Sequence, residues 1–262
     1  MDSILIDTDP ALGLPFADVD DALALQTLAA AGAPVAGLTT CFGNASLEKT
    51  HAVAQELGER FAIPVHRGAS RPGDVSTEAA DALLAHRGSV LAIAPLTNVA
   101  AALARGARWS QLVILGGTFG RLPNIRPIHT SELNLALDVG AATAALPACT
   151  TLVTMDVCRN VLFTAREVAL LPRWIADRCR GWLRLSPLMT GRRGFHPWDV
   201  LAAMRILDPG LFATERRNVA IVPSWLHRGH LRDGALPITV TRSVDGPVLV
   251  AAWSAIARRV SG

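Results

Sequence analysis

The chain's first unit is written in ILIDTDPALGLPFADVDDALAL, residues 4–25. It begins as an aliphatic run, turns polar at Asp7 and Asp9, crosses a loop holding Pro10, Gly13 and Pro15, and resumes as an alanine- and leucine-rich segment opened by Asp20 and Asp21. A short aliphatic run bounded by turn residues reads as a buried strand, and the segment after it has helical period. The same alternation continues outward. VAGLTTCF (35–42), SVLAIAP (89–95), QLVILGG (111–117) and TLVTMDV (151–157) read as strands. Helical stretches lie at 18–32, 45–61, 76–87, 96–106 and 138–147. Strand and helix in repetition predict an α/β protein with a mainly parallel sheet flanked by helices, and ligands bind such sheets beyond the carboxyl ends of the strands. After residue 160 the pattern is more helical (163–206), and NVAIVP (218–223), LPITVTR (236–242) and GPVLVAAW (246–253) are expected to be strands. With no internal repeat and no low-complexity linker, one domain over residues 1–262 is the expectation.

Composition narrows the class. Half of the 262 residues are apolar, which excludes a disordered chain. No apolar run approaches the ~20 residues needed to cross a bilayer, and MDSILIDTD lacks the layout of a signal peptide, so a cytoplasmic protein is expected. Four cysteines without a CxxC pair indicate neither a disulfide framework nor a zinc site. A net charge of +3 with dispersed arginines argues against a nucleic-acid partner.

Against this background Asp7, Asp9, Asp18, Asp20 and Asp21 are crowded into fifteen positions. Acidic residues in the first turn of a helix meet the positive end of its dipole, at ~0.3–1 kcal/mol each. That accounts for one or two of them and not for a second group at the end of the neighbouring strand. Carboxylates sharing one rim repel unless a cation or protons neutralise them. An oxygen-rich set without nearby Cys or His suits Ca²⁺ or Mg²⁺.

DTDP followed by DDALAL resembles the signature of the inosine–uridine-preferring nucleoside hydrolases, whose compact form is DxDPGxDDAxA. TTCFGN (39–44), APLTNVAAAL (94–103), VILGGTFG (113–120), SELNLALD (131–138) and WDVLAAMRILDP (198–209) resemble further segments of that family, in order, over roughly 200 residues. The resemblance implies the nucleoside-hydrolase fold, with a Rossmann-like sheet, and a Ca²⁺-dependent N-ribohydrolase that releases base and ribose from a nucleoside. It implies as metal ligands Asp9, Asp21, Asp199 and the backbone carbonyl of Ile93, with Asp9 also the general base. Asp20, Asn44, Asn124, Glu132 and Asn134 match the positions that contact the sugar. Trp198 stands where many members carry a histidine that protonates the leaving base, and so resembles the purine-preferring branch, in which an indole stacks on the base. His196, two residues earlier, is a second possible acid, and is otherwise expected to be a satisfied surface histidine. Asp7 and Asp18 are expected to support or cap. Similar proteins are dimers or tetramers, which implies a homo-oligomer, with a small nucleoside as the other partner and neither nucleic acid nor membrane.

The chain departs from the family's pattern in several places. Seven extra residues separate DTDP from DD, so that loop must fold back for Asp9 and Asp21 to meet. Ala11 replaces a glycine, and a histidine-containing GHGxxG loop has no counterpart. Two other readings start from the same residues. A haloacid-dehalogenase-type phosphatase would use Asp7 as nucleophile and needs a lysine, yet Lys49 is the only one and lies a helix too early. A catalytically inactive binding protein on the hydrolase fold would not need the full set of metal and sugar positions.

Overall fold

The structure, a computed structural model, describes residues 1–14, 18–120, 132–222 and 229–260. Among the described residues one sheet contains β1 (Ile4–Thr8), β2 (Val35–Thr40), β3 (Val65–His66), β4 (Ser89–Ala92), β5 (Gln111–Leu115), β6 (Thr151–Val153), β7 (Phe212–Ile221), β8 (Leu231–Asp233) and β9 (Leu236–Val244). Their order is β3-β2-β1-β4-β5-β6-β9-β7-β8. The first six are parallel, β9 joins β6 in parallel, and β7 and β8 close the far edge antiparallel. The order reverses between β1 and β4, the switch point at which an open α/β sheet leaves a crevice.

The central strands alternate between two cores, as a pleat with period two requires. Ile4 and Ile6 of β1, Leu91 of β4, and Val113 and Leu115 of β5 point to one core. Leu5, Val90, Ala92, Leu112 and Ile114 point to the other. The first core takes the helices Asp20–Ala30, Trp198–Leu207 and Gly246–Ala257, and the second takes Glu78–Ala85 and Thr97–Ala104. The helix Asp20–Ala30 is buried over ten of its eleven residues, and the helix Trp198–Leu207 packs against it. This contact joins the start of the chain to residues near 200.

Most expected elements stand where their patterns place them, and GPVLVAAW does not. It belongs to the helix Gly246–Ala257. Asp245 caps that helix by accepting from the Val248 amide, and Pro247 sits in its first turn, two start signals that an all-apolar run conceals. Trp253 lies in its interior, donating from Nε1 to Thr27 Oγ1 at 2.9 Å. Two strands carried no sequence signal, β3 and β8, which are two and three residues long. The strand expected over 151–157 stops at Val153, where the short helix Met155–Cys158 begins.

Candidate active site

β1 delivers Asp7 and Asp9 to the switch point, and β4 delivers Ile93, whose amide donates to the Asp7 carbonyl at 2.8 Å. The inserted loop does fold back. Gly13 takes φ +90°, a left-handed conformation that suits glycine, and the Asp9 amide donates to Asp21 Oδ1 at 3.2 Å. Thr8 Oγ1 donates to the same oxygen at 2.5 Å. Residues 15–17 of the insertion lie outside the described residues. From the other end of the chain, the Asp199 amide donates to Asp20 Oδ2 at 3.1 Å, bridging 179 positions.

The result is a buried group of oxygens. Carboxylate atoms of Asp20, Asp21 and Asp199 all lie within 4.8 Å of one another. Asp9 stands beside them and is turned toward Asn44, whose amide donates to Asp9 Oδ2 at 2.6 Å. The Asn44 side chain spans the two aspartates, donating to the Asp9 carbonyl at 3.4 Å and to Asp21 Oδ2 at 3.2 Å. Gly43 makes that approach possible, since a Cβ there would fall 1.8 Å from Asp9 Oδ2. The geometry therefore groups Asp20 with Asp21 and Asp199, while Asp9 adjoins them through Asn44 and the backbone.

Burial holds every one of these carboxyls in its neutral form longer than water would. Asp21 is raised to about 7, first by desolvation and then by Asp18 against the lowering bond from Thr8. Asp9, Asp20 and Asp199 are raised well above the usual value by burial and by neighbouring carboxylates. Buried like charges of this kind call for a hard cation. The donors are oxygens only, with no cysteine or histidine in the group, so Ca²⁺ or Mg²⁺ fits the residues present.

Asp7 supports the site from behind. Its Oδ1 accepts from Thr39 Oγ1 at 2.6 Å and from Asn98 Nδ2 at 2.9 Å, and burial raises it to about 6 despite both bonds. Asn98 also donates to the Thr40 carbonyl and accepts from the Ala69 amide, both at 2.9 Å. Asp18 is not a helix cap. The residue at the cap position is Val19, which makes no side-chain bond, and Asp18 Oδ1 instead accepts from the Val19 amide at 2.6 Å.

Glu132 and Asn134 lie at the carboxyl end of β5. Glu132 is 1% exposed, and it caps the helix Leu133–Ala136 by accepting from the Asn134 amide at 2.7 Å and the Leu135 amide at 2.9 Å. Desolvation nevertheless raises it to about 7. Asn134 Nδ2 donates to the Leu115 carbonyl at 3.1 Å. Asn124 lies outside the described residues. A residue that the sequence reading missed is Asp156, which takes the Phe119 amide at 2.8 Å and the Gly120 amide at 2.9 Å and so fixes the turn leaving β5. A lone aspartate after a short strand gave no signal of this.

Trp198 opens its helix at 8% exposure, and among the described residues its buried Nε1 has no hydrogen-bond partner. His196 is satisfied, as expected, yet buried rather than at the surface. Its Nδ1 lies 2.6 Å from the Val161 carbonyl, which as an acceptor requires the proton on that nitrogen. Burial pushes its pKa down. The two rings stand 5.9 Å apart.

Fold and site together define a protein of the α/β class, built around a buried carboxylate cluster at the sheet's switch point. The sequence model of the inosine-uridine preferring nucleoside hydrolases matches residues 4–251, and the chain belongs to that family, a family of nucleoside N-ribohydrolases. Among curated relatives, the probable uridine nucleosidase 1 of Oryza sativa subsp. japonica is 25% identical over 95% of this chain and 94% of that protein. The uridine nucleosidase 1 of Arabidopsis thaliana is 24% identical over 87% of this chain and 81% of that protein. Two solved structures share the fold. A plant nucleoside hydrolase superposes with a TM-score of 0.83 at 20% identity, covering 98% of this chain and 99% of its own. A purine-preferring ribonucleoside hydrolase from Gardnerella vaginalis gives 0.78 at 18% identity over the same shares. Among the described residues no helix is long and apolar enough to cross a membrane.

Proposed function

We propose that the protein is a Ca²⁺-dependent nucleoside N-ribohydrolase that cleaves purine nucleosides faster than pyrimidine nucleosides. The observation that carries this reading is the buried Asp20, Asp21 and Asp199 group with Asp9 beside it. Asp9, Asp21, Asp199 and the Ile93 carbonyl would hold the ion. When bound, the ion neutralises these carboxylates and lowers the pKa of water at the site.

The rest of the chemistry falls to the chain's own residues. Asp9 Oδ2 is engaged by the Asn44 amide, which leaves Oδ1 to accept a proton from the attacking water. Water oxygen bonds to C1′ of the sugar as the C1′–N bond breaks, and the leaving nitrogen takes up a proton. The transition state has oxocarbenium character, which the surrounding negative charge stabilises. Asp20, Asn44, Asn124, Glu132 and Asn134 orient the sugar. Trp198 stacks on the base and favours the larger purine face, an interaction worth ~1–3 kcal/mol. The neutral His196, with Nδ1 committed to Val161, is the weaker choice for the leaving-group acid.

The test is a reducing-sugar assay on inosine, guanosine, adenosine, uridine and cytidine, with and without chelator, beside Asp9→Asn. Chelator-sensitive ribose release led by purines is expected. Normal nucleoside binding without ribose release would overturn the enzymatic reading. Faster cleavage of uridine, the substrate named in the curated relatives, would overturn the role given to Trp198.

A further inference from the structure

A cavity of about 530 Å³, apart from the carboxylate cluster, opens where the helix Gly246–Ala257 meets residues 160–170. That volume lies within the usual range for small-ligand pockets, roughly 300–1,000 Å³. Its wall is made in part by Asn160, Val161, Arg166, Ser254 and Arg258. Neither Arg166 nor Arg258 has a carboxylate within ion-pair distance among the described residues. The carboxylate in the lining, Glu167, is engaged locally, accepting from the Thr164 amide at 2.8 Å and from its hydroxyl at 2.6 Å. Ser254 is 8% exposed and stands on the same wall. Two guanidinium groups without a carboxylate partner, with a hydroxyl-bearing residue on the same wall, make a donor-rich lining that suits an anionic acceptor.

The wall is also braced. A Cβ on Gly246 would fall 2.3 Å from the Asn160 carbonyl, so the helix start and residue 160 are held in direct contact. The next carbonyl along, that of Val161, is the one bonded to His196 Nδ1, and the His196 ring stands beside Trp198. One residue of the cavity wall thus reaches the candidate base-stacking pair.

We propose that this cavity is a second ligand site that binds a small organic phosphomonoester, held by Arg166, Arg258 and the Ser254 hydroxyl. Planar guanidinium groups donate paired N–H bonds to the terminal oxygens of a doubly charged phosphate, a match that a neutral ligand does not offer. The site is separate from the carboxylate cluster, whose acidic oxygens repel such an anion, and occupancy is transmitted along Val161 to His196. The binding claim stands independently of the substrate preference proposed above.

The experiment is calorimetric titration of the full-length protein with adenosine 5′-monophosphate, inorganic phosphate and adenosine, repeated on Arg166→Ala, Arg258→Ala, their double variant and Asp21→Asn. Both arginines are exposed, so their removal spares the core. Saturable binding of the monophosphate is expected, weakened at least tenfold by either arginine substitution and lost in the double variant, while Asp21→Asn retains it. The His196 imidazole resonances should shift on monophosphate addition in the wild type and stay fixed in the double variant. Absence of monophosphate binding would overturn the proposal, as would binding that survives in the double variant or disappears in Asp21→Asn. A nucleoside hydrolase that cleaves no purine would leave this titration unchanged, so the two readings fail separately.

Discussion

The carboxylate cluster makes a quantitative demand on stability, and Asp21 shows it most directly. An ordinary aspartate ionises near 3.8, whereas the buried Asp21 holds its proton up to about 7. Between those values the folded state binds more protons than the unfolded one, so raising the pH through this window weakens the fold. At 1.36 kcal/mol per pH unit, ionising Asp21 costs the cation-free protein about 4 kcal/mol once the pH is above 7. That is a large share of the ~5–15 kcal/mol by which a domain is stable. A bound cation favours the ionised form and reverses this loss. Asp7, raised to about 6, is outside the oxygen group, and its smaller cost of about 3 kcal/mol persists with or without the ion. The assay is urea denaturation of chelated and Ca²⁺-loaded protein at pH 5, 6, 7 and 8, for the wild type and for Asp21→Asn. In chelator the variant should gain on the wild type by several kcal/mol between pH 5 and 8. Ca²⁺ should stabilise the wild type far more at pH 8 than at pH 5 and leave the variant little changed. A difference between wild type and variant that stays flat with pH would refute the reasoning.

Other substitutions separate positioning from chemistry. Gly43→Ala drives a methyl into Asp9 Oδ2, so kcat should fall at least a hundredfold in the reducing-sugar assay. Trp198→Ala should lower kcat/KM for inosine by about 5- to 150-fold, the equivalent of ~1–3 kcal/mol, with a smaller loss for uridine. His196→Gln should leave the shape of the kcat–pH profile unaltered, because the imidazole is already neutral with Nδ1 committed to Val161. Trp253→Phe removes the bond to Thr27 Oγ1 and should cost about 1 kcal/mol, read as a fall of roughly 2–4 °C in Tm with activity unchanged.

How far the sequence could be read depended on how local each signal was. β1, β4 and β5 are buried on both faces, so their aliphatic runs stand out whatever lies around them. GPVLVAAW looked the same for a different reason. Its helix is apolar on its buried face, where Trp253 meets Thr27 and Phe163, and also on its exposed one, where Val248 is 51% exposed, and an all-apolar run has no period to read. β3 and β8 are defined by their neighbours alone, Val65 pairing with Leu38 and Leu231 with Ile221. The site divides in the same way. Asp20 and Asp21 were legible because their charge is out of place beside apolar segments, whereas Asp199 was legible only through the family resemblance. Of the two roles expected for Asp18, support or cap, the cap position belongs to Val19, which makes no side-chain bond. His196 gave no indication of its burial, since its partner is a carbonyl 35 positions away.

The segments that carry the family likeness explain themselves once placed. Thr39 of TTCFGN and Asn98 of APLTN both end on Asp7 Oδ1, Gly43 clears room for Asp9, and Asn44 ties Asp9 to Asp21. Few of these contacts touch the oxygen group itself. They hold the ends of β1, β2 and β4 in one register so that carboxylates arriving from positions 20, 21 and 199 reach the same place, with Asp9 beside them. Repulsion among those carboxylates would otherwise drive them apart, and the neutral donors around Asp7 provide a brace that adds no further charge. The insertion between Asp9 and Asp21 is tolerated for the same reason: once Thr8, the Asp9 amide and Asn44 fix Asp21, the path of the loop in between no longer sets its position.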